Sequence, residues 1–421
     1  MTASELDRPT YPEAVRLDVV DNLHGVDVAD PYRWLEDVDD PRTKAWSEAQ
    51  DDLYSAVRDS WPGREDFRAR LAALHAVGEV HVPTWRKDLA FGLHRAPDQD
   101  HAVLSVTGPD GVARVLVDPI AIDPSGSTTL DFWMPSPDGS RLAYGLSEGG
   151  TEDARLRVMD VATGMILDGP IDRMRHTPVA WLPDGDAFYY VRHLTDEAAP
   201  DGDGYLHRRV YRHTVGADPE TESVVFGADS PRTTFFNVTI SDDGRWLAVC
   251  PQRGTDARND VWLADLQGGD EISPDFVPVQ VGIDAVTEPH FGRDGTMYLL
   301  TKRDAPRFRL CAADPGELYE AGAQTVAAGA TDPGTGGWRD AVAEDPSAII
   351  VDYAILDDAA LDAPQVAVVR ARHAIAEVTI HDLATGERTA TVPLPGLGTV
   401  DELSARHDGG HEAWLTYTDF T

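Results

Sequence analysis

The sequence predicts an all-β fold, a seven-bladed β-propeller with an incomplete last blade, preceded by an N-terminal α-helical extension. Three observations predict it. A turn rich in Asp and Gly recurs: Ser136-Pro137-Asp138-Gly139, Leu182-Pro183-Asp184-Gly185, Asp242-Asp243-Gly244 and Arg293-Asp294-Gly295. Each is followed by an apolar run: Leu142-Ala143-Tyr144, Ala187-Phe188-Tyr189-Tyr190, Trp246-Leu247-Ala248-Val249 and Met297-Tyr298-Leu299-Leu300. Weaker copies start at Lys87-Asp88, Asp362-Ala363 and Asp408-Gly409, and the seven Asp positions from 88 to 408 are separated by 50, 46, 59, 51, 68 and 46 residues. A period of about fifty with four short strands is what one propeller blade needs.

Residues 1–77 lie outside the repeat and form the helical segment. Asp40-Pro41 reads as an N-cap followed by proline at the first helical position, and Trp46, Ala49, Leu53 and Val57 then repeat at helical spacing. A second helix is expected from Arg64, with Phe67, Leu71 and Leu74 on one core-facing stripe. Residues 78–421 form the propeller. The first blade is expected to use His81–Trp85, Leu89–His94, Ala102–Thr107 and Ala113–Val117. The second uses Thr129–Met134, Arg141–Leu146, Arg155–Val161 and Met165–Leu167, and the third Thr177–Trp181, Ala187–Arg192, Arg209–His213 and Ser223–Phe226. Each Asp-Gly pair belongs between the first and second strands of a blade, where a tight hairpin needs positive φ. The sixth blade closes near Thr389–Pro393, leaving the seventh only Thr399–Ser404 and Glu412–Thr418, with no spare strand before residue 78 to complete it.

Composition narrows the function classes. The 421 residues carry 73 acidic and 36 basic side chains, a net charge of −37, and only three of the basic residues are lysines (Lys44, Lys87, Lys302). Nucleic acid and anionic membranes are therefore not expected partners, because phosphate recognition needs clustered Lys and Arg. Cys250 and Cys311 sit in different repeats and read as buried free thiols in a reducing compartment. The start of the chain has no basic-then-apolar leader, and no run approaches a membrane span. The protein is expected to be cytoplasmic.

Local motifs offer little chemistry. Gly145-Leu146-Ser147-Glu148-Gly149 matches G-x-S-x-G, but that motif exposes a nucleophile only where a helix follows the serine. Here Arg155–Met159 follows as another strand, so Ser147 reads as a loop residue. His207 and His213 bracket a strand with even spacing, as a metal pair would. No third ligand stands near them, so they read as surface histidines. No metal, no cofactor and no catalytic residue is assigned to the chain.

Longer stretches resemble the prolyl oligopeptidase family of serine peptidases. Asp30-Pro31-Tyr32-Arg33-Trp34-Leu35-Glu36-Asp37 with Trp46 and Gln50 is similar to the family's N-terminal segment. The resemblance continues through Ser136–Tyr144, Arg157–Gly164, Val179–Gly185, Val210–His213, Ser241–Arg245 and Pro393-Leu394-Pro395-Gly396-Leu397-Gly398. It implies a seven-bladed propeller that gates an α/β-hydrolase domain, with short proline-containing peptides as substrates and the N-terminal helices packed on that domain. The family's Ser, Asp and His belong to the C-terminal hydrolase domain, after the point where this sequence stops, so the chain alone is expected to be inactive. In the family the loops joining second to third strands face the active site, here including Ser147–Ala154, Leu194–His207 and Pro251–Asn259, and by position His176, Gln252 and Thr255 would lie nearest a bound peptide. The alternative from another class is an autonomous peptide- or protein-binding propeller without catalysis.

Overall fold

The Asp-Gly turns set the first hairpin of the blades. In the computed structural model, which describes residues 9–267 and 269–419, Gly139, Gly185, Gly244 and Gly295 have φ of 74°, 69°, 73° and 78°. That left-handed region is open to glycine at little cost. Each of these glycine N–H groups donates to the carbonyl three residues back, at 2.8–3.0 Å. The carboxylate of the preceding aspartate accepts the N–H two residues ahead of it, at 2.9–3.0 Å. The aspartate thus satisfies a turn donor that the strand ladder does not reach.

Six antiparallel sheets of four or more strands follow from these hairpins. Their first strands are Thr84–Arg86, Thr128–Pro135, Val179–Trp181, Thr234–Ile240, Thr287–Phe291 and Ile349–Leu356. The apolar clusters lie between successive blades. Phe91 and Leu104 of blade 1 pack with Leu142 and Tyr144 of blade 2, Leu156 and Ile171 of blade 2 with Trp181 and Phe188 of blade 3, and Tyr189 of blade 3 with Phe236 and Leu247 of blade 4. Trp246 and Leu263 of blade 4 meet Phe291 and Leu299 of blade 5, and Tyr298 and Leu310 of blade 5 meet Val366 and Val368 of blade 6. A second strand is therefore buried on both faces, which is why it reads as a continuous apolar run rather than an alternation.

Among the described residues the blade count is six, not seven. Residues 399–418 form a two-stranded sheet, Thr399–Ala405 with Ala413–Thr418, and a blade needs four strands. This hairpin packs Val400 against Val369 and Val378 of blade 6. On its other side Trp414 stacks on Trp85 of blade 1 at 5.1 Å, and the Arg406 guanidinium lies 3.9 Å from the centre of the Trp85 ring. Ser404 Oγ donates to the Pro83 carbonyl at 2.7 Å, and Leu403 N–H to Asp352 at 3.2 Å. Two further departures lie within the blades. The first strand of blade 1 is interrupted: Glu79–Val80 and Thr84–Arg86 pair separately with Leu89–Arg95, and Pro83, which has no N–H to give the ladder, stands in the gap. Blade 5 carries an inserted helix, Pro315–Ala327, which accounts for the long 68-residue step.

A separate compact unit ends at Val77, and the propeller unit starts at Gly78. The first unit contains strands, contrary to the sequence expectation: Val20–Leu23 and Val26–Ala29 pair with each other across His24-Gly25, both at positive φ. Trp34 is buried there, donating to the Val15 carbonyl at 2.8 Å, while Thr43 Oγ1 donates to the Trp34 carbonyl at 2.7 Å. The helix Pro41–Arg58 is capped by Asp40, which accepts from Arg42 N–H at 2.8 Å, and Trp46, Ala49, Leu53 and Val57 are half-buried along it. The helix Arg64–His75 corrects the second expectation. Its stripe faces solvent, with Phe67 73%, Leu71 53% and Leu74 54% exposed.

Candidate functional site

First strands of blades 1, 4, 5 and 6, together with the hairpin at residues 399–418, line a channel with a cavity of about 690 Å³. Pleating decides what lines it. Along Thr234–Ile240, Phe236, Val238 and Ile240 turn into the core between blades 3 and 4, so Phe235, Asn237 and Thr239 face the channel. On Thr287–Phe291 the same alternation buries Thr287 and Phe291 and presents Glu288 and His290.

The middle of the channel is acidic. Burial, then the neighbouring Asp352, raises the pKa of Glu288, and burial raises that of Asp352. Like-charged carboxylates in a confined space favour keeping a proton. Cys250 also lines this stretch, and burial pushes its thiol far above the ordinary range, so it stays protonated. At the end formed by the Asp-Gly turns, His407 Nε2 lies 3.5 Å from Asp242 Oδ1, and Arg293 pairs with Asp357 at 3.1 Å. Burial and then the Arg86 charge hold His407 below its ordinary value, and burial lowers His290.

The opposite end is built from second-to-third-strand loops carrying Glu152 and Tyr205, and from the link between blades 2 and 3 carrying Arg175 and His176. Glu152 accepts from Arg175 at 2.7 Å, which holds its carboxyl below the usual range, and Arg175 also donates to Tyr205 Oη. Arg208 lies over the Phe235 ring at 4.2 Å. His176 is exposed at φ 51°, with Nε2 3.6 Å from Glu152 and its ring 5.8 Å from Phe235. Gln252 lines the channel and donates to the Asp256 carbonyl at 2.5 Å, whereas Thr255 is exposed and outside the lining. The structure therefore brings His176 and Gln252 to one rim, linked through Phe235, and leaves Thr255 aside.

Other candidates resolve into structural roles. Ser147 is buried within Arg141–Glu148 with Thr129 Oγ1 as its hydroxyl partner at 3.2 Å. Gly145 of the same motif is a packing residue, because a Cβ there would stand 2.1 Å from the Phe132 ring. His207 and His213 are not surface histidines. Both are buried, and they have different partners: Asp201 for His207 at 2.9 Å, and Asp168 and Glu222 for His213 at 2.7 and 2.5 Å. Among the described residues no group of three His, Cys, Asp or Glu is arranged to hold a metal, and no helix is long and apolar enough to cross a membrane. Sequence reasoning missed Arg86, Asp242, Glu288, His290, Asp352 and His407. The available signal was a polar residue at alternate positions of a blade's first strand, or just after that strand.

With this geometry in hand, comparison with known proteins is decisive. The pattern of the prolyl oligopeptidase N-terminal β-propeller domain matches residues 11–421. The chain belongs to the prolyl oligopeptidase family. A prolyl endopeptidase of Elizabethkingia meningoseptica is 26% identical over 300 residues, 71% of this chain and 42% of that protein. Prolyl oligopeptidase A of Amanita bisporigera is 21% identical over 436 residues, 95% of this chain and 54% of that protein. A solved prolyl endopeptidase, studied for inter-domain dynamics in catalysis and specificity, superposes with TM-score 0.82 at 30% identity, covering 98% of this chain and 57% of that one. Prolyl oligopeptidase B of Galerina marginata, solved with a 35mer hydrolysis and macrocyclization substrate, gives TM-score 0.75 at 20% identity over 94% of this chain and 56% of that one, a likeness of fold. The chain spans about half the length of the curated relatives it matches.

Proposed function

We propose that this chain is the substrate-gating propeller of a prolyl-oligopeptidase-like serine endopeptidase acting on short proline-containing peptides. The family match across residues 11–421 carries the reading. The channel supports it: a polar passage of about 690 Å³ suits a short, hydrated peptide and is too small for a folded protein. In this reading residues 1–77 pack on a C-terminal α/β-hydrolase domain that supplies the nucleophile, base and orienting acid of acyl transfer. His176 and Gln252, which share one rim with Phe235, are the residues that would face the substrate, and Thr255 stands outside the lining. The exposed stripe of Phe67, Leu71 and Leu74 is the surface that such a domain would cover.

The test is reconstitution. The chain is mixed or co-expressed with the hydrolase domain of the Elizabethkingia meningoseptica relative, and cleavage of a chromogenic proline peptide is followed. The expected result is no turnover by the chain alone and turnover by the pair. Turnover by the chain alone that is lost in Ser147→Ala would overturn the reading. One observation favours a second reading, an autonomous peptide- or protein-binding propeller: the hairpin at residues 399–418 already ties blade 6 to blade 1 through Arg406, Trp414, Ser404 and Leu403. A tight complex between the two domains decides for the first.

A further inference from the structure

The turn end of the channel holds a cation, Arg86, that has no carboxylate in hydrogen-bonding contact, although the charges of Asp408 and Asp242 reach it through space. The Arg86 guanidinium lines the cavity, yet its hydrogen bonds go to the Trp85 carbonyl at 2.8 Å and the Met134 sulfur at 3.9 Å. Its Nε is sealed from solvent and meets no acceptor. Asp242 and Asp408 act on it only through space, because each carboxylate is engaged elsewhere: Asp242 with His407, and Asp408 with the Lys87 N–H. Arg293 is likewise taken by Asp357, and Arg406 by Glu412 and the Trp85 ring. His290 borders the same chamber, wetted by the channel but surrounded by protein. A guanidinium largely removed from water with no carboxylate in contact is costly, and its channel-facing side remains open to an acceptor.

We propose that the turn end of the channel binds the free C-terminal carboxylate of a short peptide, with Arg86 as its counter-charge and His290 as a second donor. A guanidinium matches a carboxylate in shape as well as in sign. The carboxylates of Asp242 and Asp408 near this cation disfavour a dianion such as phosphate more strongly than a monoanion. The inference deepens the peptide-gating reading and rests on it. A peptide held by its C-terminus at this end extends back past Glu288 and Asp352 toward the rim at Phe235 and Gln252.

The experiment uses the 421-residue chain and an N-acetylated proline-containing tetrapeptide, prepared as the free acid and as the C-terminal amide. Affinities for both are measured by calorimetry, with inorganic phosphate as competitor. The acid should bind about tenfold more tightly than the amide, the factor expected of one charge-assisted hydrogen bond. Arg86→Gln should bring the ratio to about one, and Arg86→Lys should retain part of it. Where Arg86→Gln does not fold, as judged by circular dichroism, His290→Gln is read in its place and should lower the ratio. Equal binding of acid and amide overturns the carboxylate site while leaving a peptide-binding channel intact. A ratio that survives in every folded variant also overturns it, as does phosphate displacing the acid more readily than unlabelled peptide does. Binding of neither peptide overturns both this site and the peptide-gating reading.

Discussion

His213 shows how a single side chain joins two blades. It is fully buried, with Nε2 2.7 Å from Asp168 on the outer strand of blade 2 and Nδ1 2.5 Å from Glu222 in blade 3. Glu222 also accepts from Tyr190 Oη at 2.7 Å. Burial opposes the imidazolium, but the hydrogen bonds to the two carboxylates override it and raise the pKa to about 9. A raised histidine pKa stabilises the fold fully below the unfolded value of about 6.5, and that stabilisation is lost as pH climbs through the folded value. Urea unfolding should therefore show stability falling by about 3 kcal/mol between neutral pH and pH above about 9, beyond the fall seen in His213→Gln. His213→Gln should itself lose about 3–5 kcal/mol at neutral pH, because it leaves two buried carboxylates unpaired. An identical pH dependence in variant and parent would refute the assignment. Little of this was legible in the sequence. The even spacing of His207 and His213 is visible, but their partners come from positions 6 to 45 residues away, and only the stacking of blades brings Asp168 to His213. The channel groups were hidden for the same reason: Arg86, His290 and His407 are separated by more than a hundred residues and meet only when the ring closes.

At the scale of the element, turn chemistry was legible and insertions were not. Asp-Gly pairs located the hairpins because their conformational demand is local: a left-handed residue followed by a satisfied donor. Gly145 belongs to another class, a glycine required by a neighbour. Its absent Cβ makes room for the Phe132 ring of the adjacent strand, which pairs with it across a bulge. Gly145→Ala should cost about 1–3 kcal/mol through overpacking, and Phe132→Leu should restore much of the loss in the double variant. Thermal melts of the four proteins check this, and additive losses would show that the two residues do not interact. The inserted helix Pro315–Ala327 carried the same Asp-Pro signal that marked the N-terminal helix. Asp314 accepts from Glu317 N–H at 3.0 Å, much as Asp40 accepts from Arg42. A frame built on the strand repeat absorbed that signal as a long step. The broken first strand of blade 1 shows the converse: His81–Trp85 was expected as one strand, and Pro83 within it has no N–H for the ladder, so the pairing stops there.

At the scale of the whole molecule, two features leave apolar or unpaired surface. The helix Arg64–His75 buries none of its residues. The outer strand Ala413–Thr418 pairs with Thr399–Ala405 alone, so its other edge offers free N–H and C=O groups among the described residues. An open edge is a template for association, and an exposed aromatic-aliphatic stripe adds attraction at contact. Opposing both is a net charge of −37, whose repulsion acts over distance. Salt at physiological strength screens that repulsion beyond about 8 Å but does not weaken hydrogen bonds or apolar contact at the edge. Self-association of the isolated chain should therefore increase with ionic strength, and a matching hydrolase domain should suppress it by covering the stripe. Sedimentation velocity at low and high salt measures the first effect, and the same runs with the added domain measure the second. Phe67→Glu with Leu71→Glu should reduce association at high salt without changing the propeller's melting temperature, because neither residue is buried. A monomer at both salts would mean that neither surface is adhesive, and would move the autonomous binding propeller ahead of the peptidase-gate reading.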